Sequence, residues 1–160
     1  MAKRKIVVVD YDPAWPAQFE DFRQLLTGVL GPLAVSIEHV GSTSVPGLEA
    51  KPILDIDVVI RTRDELPPVT ERLSTLGYEH LGDLGIAGRE AFSGKGVPQE
   101  DSGRRWPAHN LYVCASDSEE LTWHLAFRDY LRAHPEAVQI YGQIKREQAK
   151  RHPSDMDAYL

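Results

Sequence analysis

Cysteine is nearly absent. The 160-residue chain has one, Cys114, so no disulfide can form within it, and a reducing cytoplasm is its expected setting. That lone cysteine and the scattered histidines also lack zinc-ligand spacing. Long apolar runs are missing. Ile6–Val9 is apolar but ends at Asp10, too short for a signal-peptide core, and nothing approaches the ~20 residues of a membrane span. A soluble cytoplasmic protein with no membrane partner is expected. Basic charge is also scarce: 18 Lys and Arg stand against 24 Asp and Glu, a net charge of −6. Binding to polymeric nucleic acid needs a basic excess or stripe and is not expected. A small phosphorylated ligand needs only a few local cations and a metal. No Gly-x-Ser-x-Gly elbow, internal repeat or heptad array occurs, and Gly47 is followed by Leu48, not by the Lys-Ser/Thr of a Walker loop. A chain of this length suits one domain, 1–160, able to bury roughly 70% of its unfolded surface.

What is present centres on Gly41-Ser42-Thr43-Ser44-Val45-Pro46-Gly47, followed by Lys51-Pro52 and an apolar run, Ile53–Ile60, interrupted only by Asp55 and Asp57. The run predicts a buried strand. Residues two apart in a strand share a face, roughly 6.6 Å from one another, so the two aspartates project together while Ile56 and Val58 fill the other side. Paired carboxylates in an apolar strand are costly unless a positive charge answers them, and a divalent cation is the simplest answer. On an edge strand the same pair would face water. The Gly41-Ser42 backbone and hydroxyl are suited to holding a phosphate. Ser42, Thr43 and Ser44 are equally plausible helix caps. Lys51, between turn and strand, either neutralises a phosphate or is a solvated loop lysine.

Around this centre the pattern alternates. A helix is expected from Asp12-Pro13, with Asp12 as its cap, through Trp15, Phe19, Phe22, Leu26 and Leu30 to Gly31-Pro32. Strands are expected at Ile6–Val9, Ala34–Val40 and Ala108–Ala115, a helix at Val69–Leu76 capped by Gly77, and a hairpin or irregular strands over Tyr78–Phe92. Ser93–Pro107 reads as an exposed loop carrying Arg104 and Arg105. Helices follow from Asp117, carried by Leu121, Leu125, Phe127, Arg128, Tyr130 and Leu131 to His134-Pro135, and from Pro135 to about Lys150, with a short one at Asp155–Leu160. The expected fold is α/β: a small mixed sheet flanked by helices, with a helical C-terminal part. His39, at the end of its strand, fits a structural role better than a ligand contact. Arg89 is a reasonable phosphate or carboxylate ligand. Lys145 shares a helix face with Tyr141 and either reaches a phosphate or pairs with a surface acid.

His39–Leu48 with Lys51-Pro52-Ile53-Leu54-Asp55-Ile56 resembles the signature of the GrpB family of small bacterial proteins. Arg89-Glu90-Ala91-Phe92, Phe127–Arg132 and Tyr141-x-x-x-Lys145 resemble its later segments. That family resembles the nucleotidyltransferase superfamily, with its Gly-Ser pair followed by acid-x-acid on the next strand. The resemblance implies a nucleotidyltransferase-like fold and metal-dependent nucleotidyl transfer. Asp55 and Asp57 would then be the catalytic pair holding Mg²⁺ on a nucleoside triphosphate, with Gly41, Ser42, Lys51, Arg89 and Lys145 as substrate-binding residues. Relatives fused to dephospho-CoA kinases point to a small-molecule acceptor. One departure matters: catalytic nucleotidyltransferases usually carry a third acid on a later strand, and 108–115 has none, with His109, Asn110 and Tyr112 instead. The alternative is therefore a non-catalytic nucleotide-binding or accessory domain. Glu38 and Glu90 are the candidates for a third carboxylate.

Overall fold

The computed structural model describes residues 7–94 and 106–151. The elements run α1 (Trp15–Leu30), β1 (Ser36–Val40), β2 (Leu54–Ile60), α2 (Leu66–Ser74), β3 (Glu79–Gly82), β4 (Glu90–Ser93), β5 (His109–Ala115), α3 (Glu119–Ala133) and α4 (Pro135–Arg151). The strands form one mixed sheet in the order β1-β2-β5-β4-β3. β2 and β5 pair in parallel at its centre, and the other neighbours are antiparallel. The expected α/β architecture is the one observed.

Strand alternation divides the sheet into two chemically different faces. Ile56, Val58 and Ile60 of β2 join Leu111 and Val113 of β5 under α1 and α2, which contribute Phe22, Leu26, Leu30, Val69 and Leu73. This is the main core. The opposite face carries Asp55, Asp57 and Val59, with Asn110, Tyr112 and Cys114 beside them in register. α3 covers part of it, packing Leu121 and Leu125 on Val59 and Cys114. α3 and α4 then close on the Gly41–Gly47 segment through Leu131, Val138, Val45 and Leu48.

Local chemistry moves several boundaries. α1 begins at Trp15 with Pro16 in its first turn, because Asp12 Oδ1 accepts from the Ala14 N–H at 2.8 Å and turns the chain before the helix starts. β1 starts at Ser36, two residues later than expected. Near the N-terminus, Val9 makes only an isolated antiparallel bridge with Ala50. Pro67 and Pro68 lie inside the first turn of α2, where the missing N–H groups would have no helical partner anyway. The hairpin expected within 78–92 forms as β3 and β4, with an irregularity between His80 and Gly82. Arg104, Arg105 and the short helix expected at 155–160 lie outside the described residues. Among the described residues no helix is long and apolar enough to cross a membrane.

His39 ends β1 as a buried side chain. It stacks on Phe19, with ring centroids 4.8 Å apart, and shares a 2.9 Å hydrogen bond between Nε2 and Thr43 Oγ1. Burial, with Arg132 and Arg128 nearby, holds its pKa down to about 4 from 6.5. The unfolded chain thus binds a proton between pH 6.5 and 4 that the folded chain refuses. Stability is full above pH 6.5 and falls as pH drops through that window, by up to about 3 kcal/mol from this residue. Denaturant unfolding at pH 7 and pH 4.5 measures the loss. His39→Gln, which keeps a partner for Thr43, should flatten it; an unchanged pH slope would contradict this assignment.

Candidate functional site

β2 delivers both aspartates to one face, and its neighbours determine their state. Asp57 is fully buried. Its Oδ2 lies 2.5 Å from His124 Nδ1 on α3, and His124 Nε2 lies 3.5 Å from Glu120. The hydrogen bond to Asp57 raises the His124 pKa, against the opposing effect of burial. Asp57 Oδ1 is buried and has no hydrogen-bond partner among the described residues. Asp55 Oδ1 accepts from Asn110 Nδ2 at 2.9 Å. Burial raises the Asp55 pKa; the Asn110 bond opposes the shift and the Asp57 charge adds to it.

The Gly-Ser turn closes against this pair. Gly41 has φ +72° and ψ −172°, a region essentially reserved for glycine. A Cβ there would collide with Asp55 Oδ2. Ser42–Ser44 forms a single tight turn, held by Ser44 Oγ donating to the Gly41 carbonyl at 2.5 Å. Lys145 reaches in from α4 and donates to Ser42 Oγ, its Nζ 5.3 Å from the Tyr141 ring centroid. Its side chain is buried, and burial, reinforced by Lys51, lowers its pKa to about 8. Lys51 is near enough for the Asp55 charge to oppose the pKa lowering that burial causes.

Gly41, Ser42, Lys51, Asp55, Asp57 and Lys145 thus come together around the start of β2. Arg89 stands further along, its guanidinium 4.1 Å from the centroid of Tyr112, the register neighbour of Asp57. Arg89 Nε is buried and has no hydrogen-bond partner among the described residues. Neither candidate supplies a third metal-binding carboxylate. Glu38 neighbours Asp57 in register but is held by Arg128 Nη1 at 2.8 Å. Glu90 pairs in register with Val113 and bonds Arg63 and His80 at 3.3 and 3.0 Å. Among the described residues no group of three or more His, Cys, Asp or Glu is placed to hold a metal ion.

The sequence reading missed His124, Asn110 and Arg128. The available signal was the i, i+4 series Glu120, His124, Arg128, Arg132. These make one stripe down α3, and three of them bond the sheet or the turn: His124 to Asp57, Arg128 to Glu38 and Arg132 to the Ser44 carbonyl. Phe127 and Tyr130, expected as part of this helix, are exposed, as is Trp123 at 70%.

A Gly-Ser turn backed by a lysine and set against an acid-x-acid strand defines an α/β domain with the ingredients of a phosphate site and a cation site. The chain belongs to the GrpB family: the family model described as "GrpB protein" matches residues 5–160. It is 34% identical over 158 residues to UPF0157 protein YqkA of Bacillus subtilis (strain 168), covering 99% of this chain and 44% of that one. It superposes on the crystal structure of conserved protein GrpB from Enterococcus faecalis with a TM-score of 0.81 at 35% identity, covering 96% of this chain and 89% of the other. All of the chain also aligns, at 28% identity over 180 residues, with 44% of a dephospho-CoA kinase of Mycolicibacterium paratuberculosis (strain ATCC BAA-968 / K-10). The chain therefore spans less than half the length of these two curated relatives.

The fit between Gly41 and Asp55 is open to a direct check. Gly41→Ala adds backbone strain and a clash, and should destabilise by about 3 kcal/mol. Gly47→Ala, with φ +82° but nothing within 4 Å of the new Cβ, carries the strain alone, about 1 kcal/mol. Chemical denaturation of both variants gives the comparison; equal losses would mean that the approach to Asp55 has no energetic weight.

Proposed function

We propose that this GrpB-family domain binds a nucleoside triphosphate together with Mg²⁺. One observation carries the proposal: a buried lysine, Lys145, donates to Ser42 on a turn whose glycine abuts Asp55. Phosphate-binding donors and cation-binding oxygens therefore share one wall. Below about pH 8 the Lys145 ammonium is charged and the Ser42 hydroxyl lies beside it, suited to the outer phosphates.

The donor set suits a hard cation. Asp55 and Asp57 offer carboxylate oxygens, and Asp57 Oδ1 is a buried acceptor lacking a partner among the described residues. Mg²⁺ commonly takes one or two protein carboxylates and completes its shell with water and phosphate oxygens. Bound there, it would neutralise triphosphate charge. The chain's own part is positional. His124 holds Asp57 Oδ2, which leaves Oδ1 as the open donor, and Asn110 fixes Asp55. Arg89, stacked on Tyr112 of the neighbouring strand, adds positive charge.

Transfer of the nucleotide to a small-molecule acceptor is the second reading, favoured by the two aspartates on one face after a Gly-Ser turn. Glu38 and Glu90 are both engaged elsewhere, which weighs toward binding without turnover.

Calorimetric titration with ATP, GTP, CTP and UTP, with and without Mg²⁺, tests the proposal. At least one nucleotide should bind in a Mg²⁺-dependent way. Affinity should fall about tenfold or more in Lys145→Gln and in Asp55→Asn/Asp57→Asn, with circular dichroism confirming that the variants fold. Pyrophosphate release in the presence of a small-metabolite pool would add turnover. No binding of any nucleotide, or binding untouched by both variants, would refute the site.

A further inference from the structure

A second concavity lies at the open edge of the sheet, beyond β1. It has a volume of about 290 Å³, and its lining includes Tyr11, Phe19, Glu38, Pro46, Arg128 and Arg132. None of the residues lining it is an aspartate or lysine of the site described above. β1 is an edge strand, so nothing in the sheet closes this side. At the small end of ligand pockets, which run from about 300 Å³ upward, it has room for a small molecule.

Its charge is unusual for an acidic protein. Two guanidiniums face one carboxylate, in a chain whose net charge is −6. Glu38 is committed to Arg128, whose Nη1 also donates to the His39 carbonyl at 3.2 Å and whose Nε donates to Asp129 at 2.9 Å. Arg132 is different: its Nε donates to the Ser44 carbonyl at 2.9 Å, and no carboxylate among the described residues forms a salt bridge with it. The two guanidinium charges are felt nearby, since Arg132 and Arg128 add to the burial that keeps His39 neutral. A guanidinium fork is matched in geometry to two-oxygen and three-oxygen anions. Phe19, Tyr11 and Pro46 offer apolar surface for the body of a molecule whose anionic end sits at the arginines.

We propose that this pocket is an oxyanion site, taking the carboxylate or phosphate group of a small molecule at Arg132 and Arg128, with its body against Phe19 and Tyr11. The pocket shares Ser44 and Pro46 with the turn but includes none of Lys51, Asp55, Asp57 and Lys145.

Two-dimensional NMR of the arginine Nε–Hε signals tests this, with inorganic phosphate and acetate titrated separately at constant ionic strength. One or both anions should saturate shifts of the Arg132 and Arg128 signals. Saturation by phosphate alone assigns a phosphate group; saturation by acetate as well assigns a carboxylate. The response should be lost in Arg132→Gln. It should tighten about fivefold in Glu38→Gln, which removes the pocket's one negative charge; misfolding would not produce a gain. The proposal is overturned if neither anion saturates, or if Glu38→Gln leaves the affinity unchanged. It is also overturned if the shifts survive Arg132→Gln but vanish in Lys145→Gln, since the anion would then sit at the Ser42 turn.

Discussion

Asp57 places a carboxylate inside a five-stranded sheet with none of its surface exposed. Burying an isolated charge of that kind carries a penalty of several kcal/mol. The protein answers one oxygen only. His124 bonds Oδ2, with Glu120 behind it, while Oδ1 has no partner among the described residues. The field of this group reaches the next strand, where burial and then Asp57 push the Cys114 thiol up to about 12. The lone cysteine is thereby kept protonated and inert.

The answer to Asp57 dictates how α3 is used. A surface helix normally turns an apolar stripe to the core. α3 instead turns its series His124, Arg128, Arg132 to a carboxylate, a carboxylate and a main-chain carbonyl, with apolar packing at Leu121 and Leu131. These three bonds fix the helix along the side of the sheet that carries the aspartates. They also set α4 where Lys145 meets Ser42. The turn, the lysine and the aspartate pair belong to one arrangement through these polar contacts and through the packing of Leu131 and Val138 on Val45 and Leu48.

The architecture was legible in the sequence because β2 is an apolar run broken only by Asp55 and Asp57, and the α1 stripe from Phe22 to Leu30 has clean helical spacing. The shared face of Asp55 and Asp57 follows from strand period alone. Boundaries were less legible where side-chain chemistry intervened, as with Asp12 before α1 and the two prolines inside α2. His124 was hidden because its partner is 67 residues away in the chain, on another element. Asn110 was legible only as one residue of a strand without the expected acid. Its role in fixing Asp55 emerges only from the parallel register of β2 and β5.

Asp57 Oδ1, buried and without a partner among the described residues, is the oxygen we propose to serve a cation. Titration of the chain with Mn²⁺ and ATP, followed by water-proton relaxation against a protein-free Mn·ATP control, reads that directly, because Mn·ATP held by a protein relaxes water protons more strongly than Mn·ATP free in solution. Wild type should bind one Mn²⁺, and Asp57→Asn should fail to bind it while remaining folded. Equal Mn²⁺ uptake by wild type and Asp57→Asn would contradict the account, and would leave the buried aspartate as the structural partner of His124.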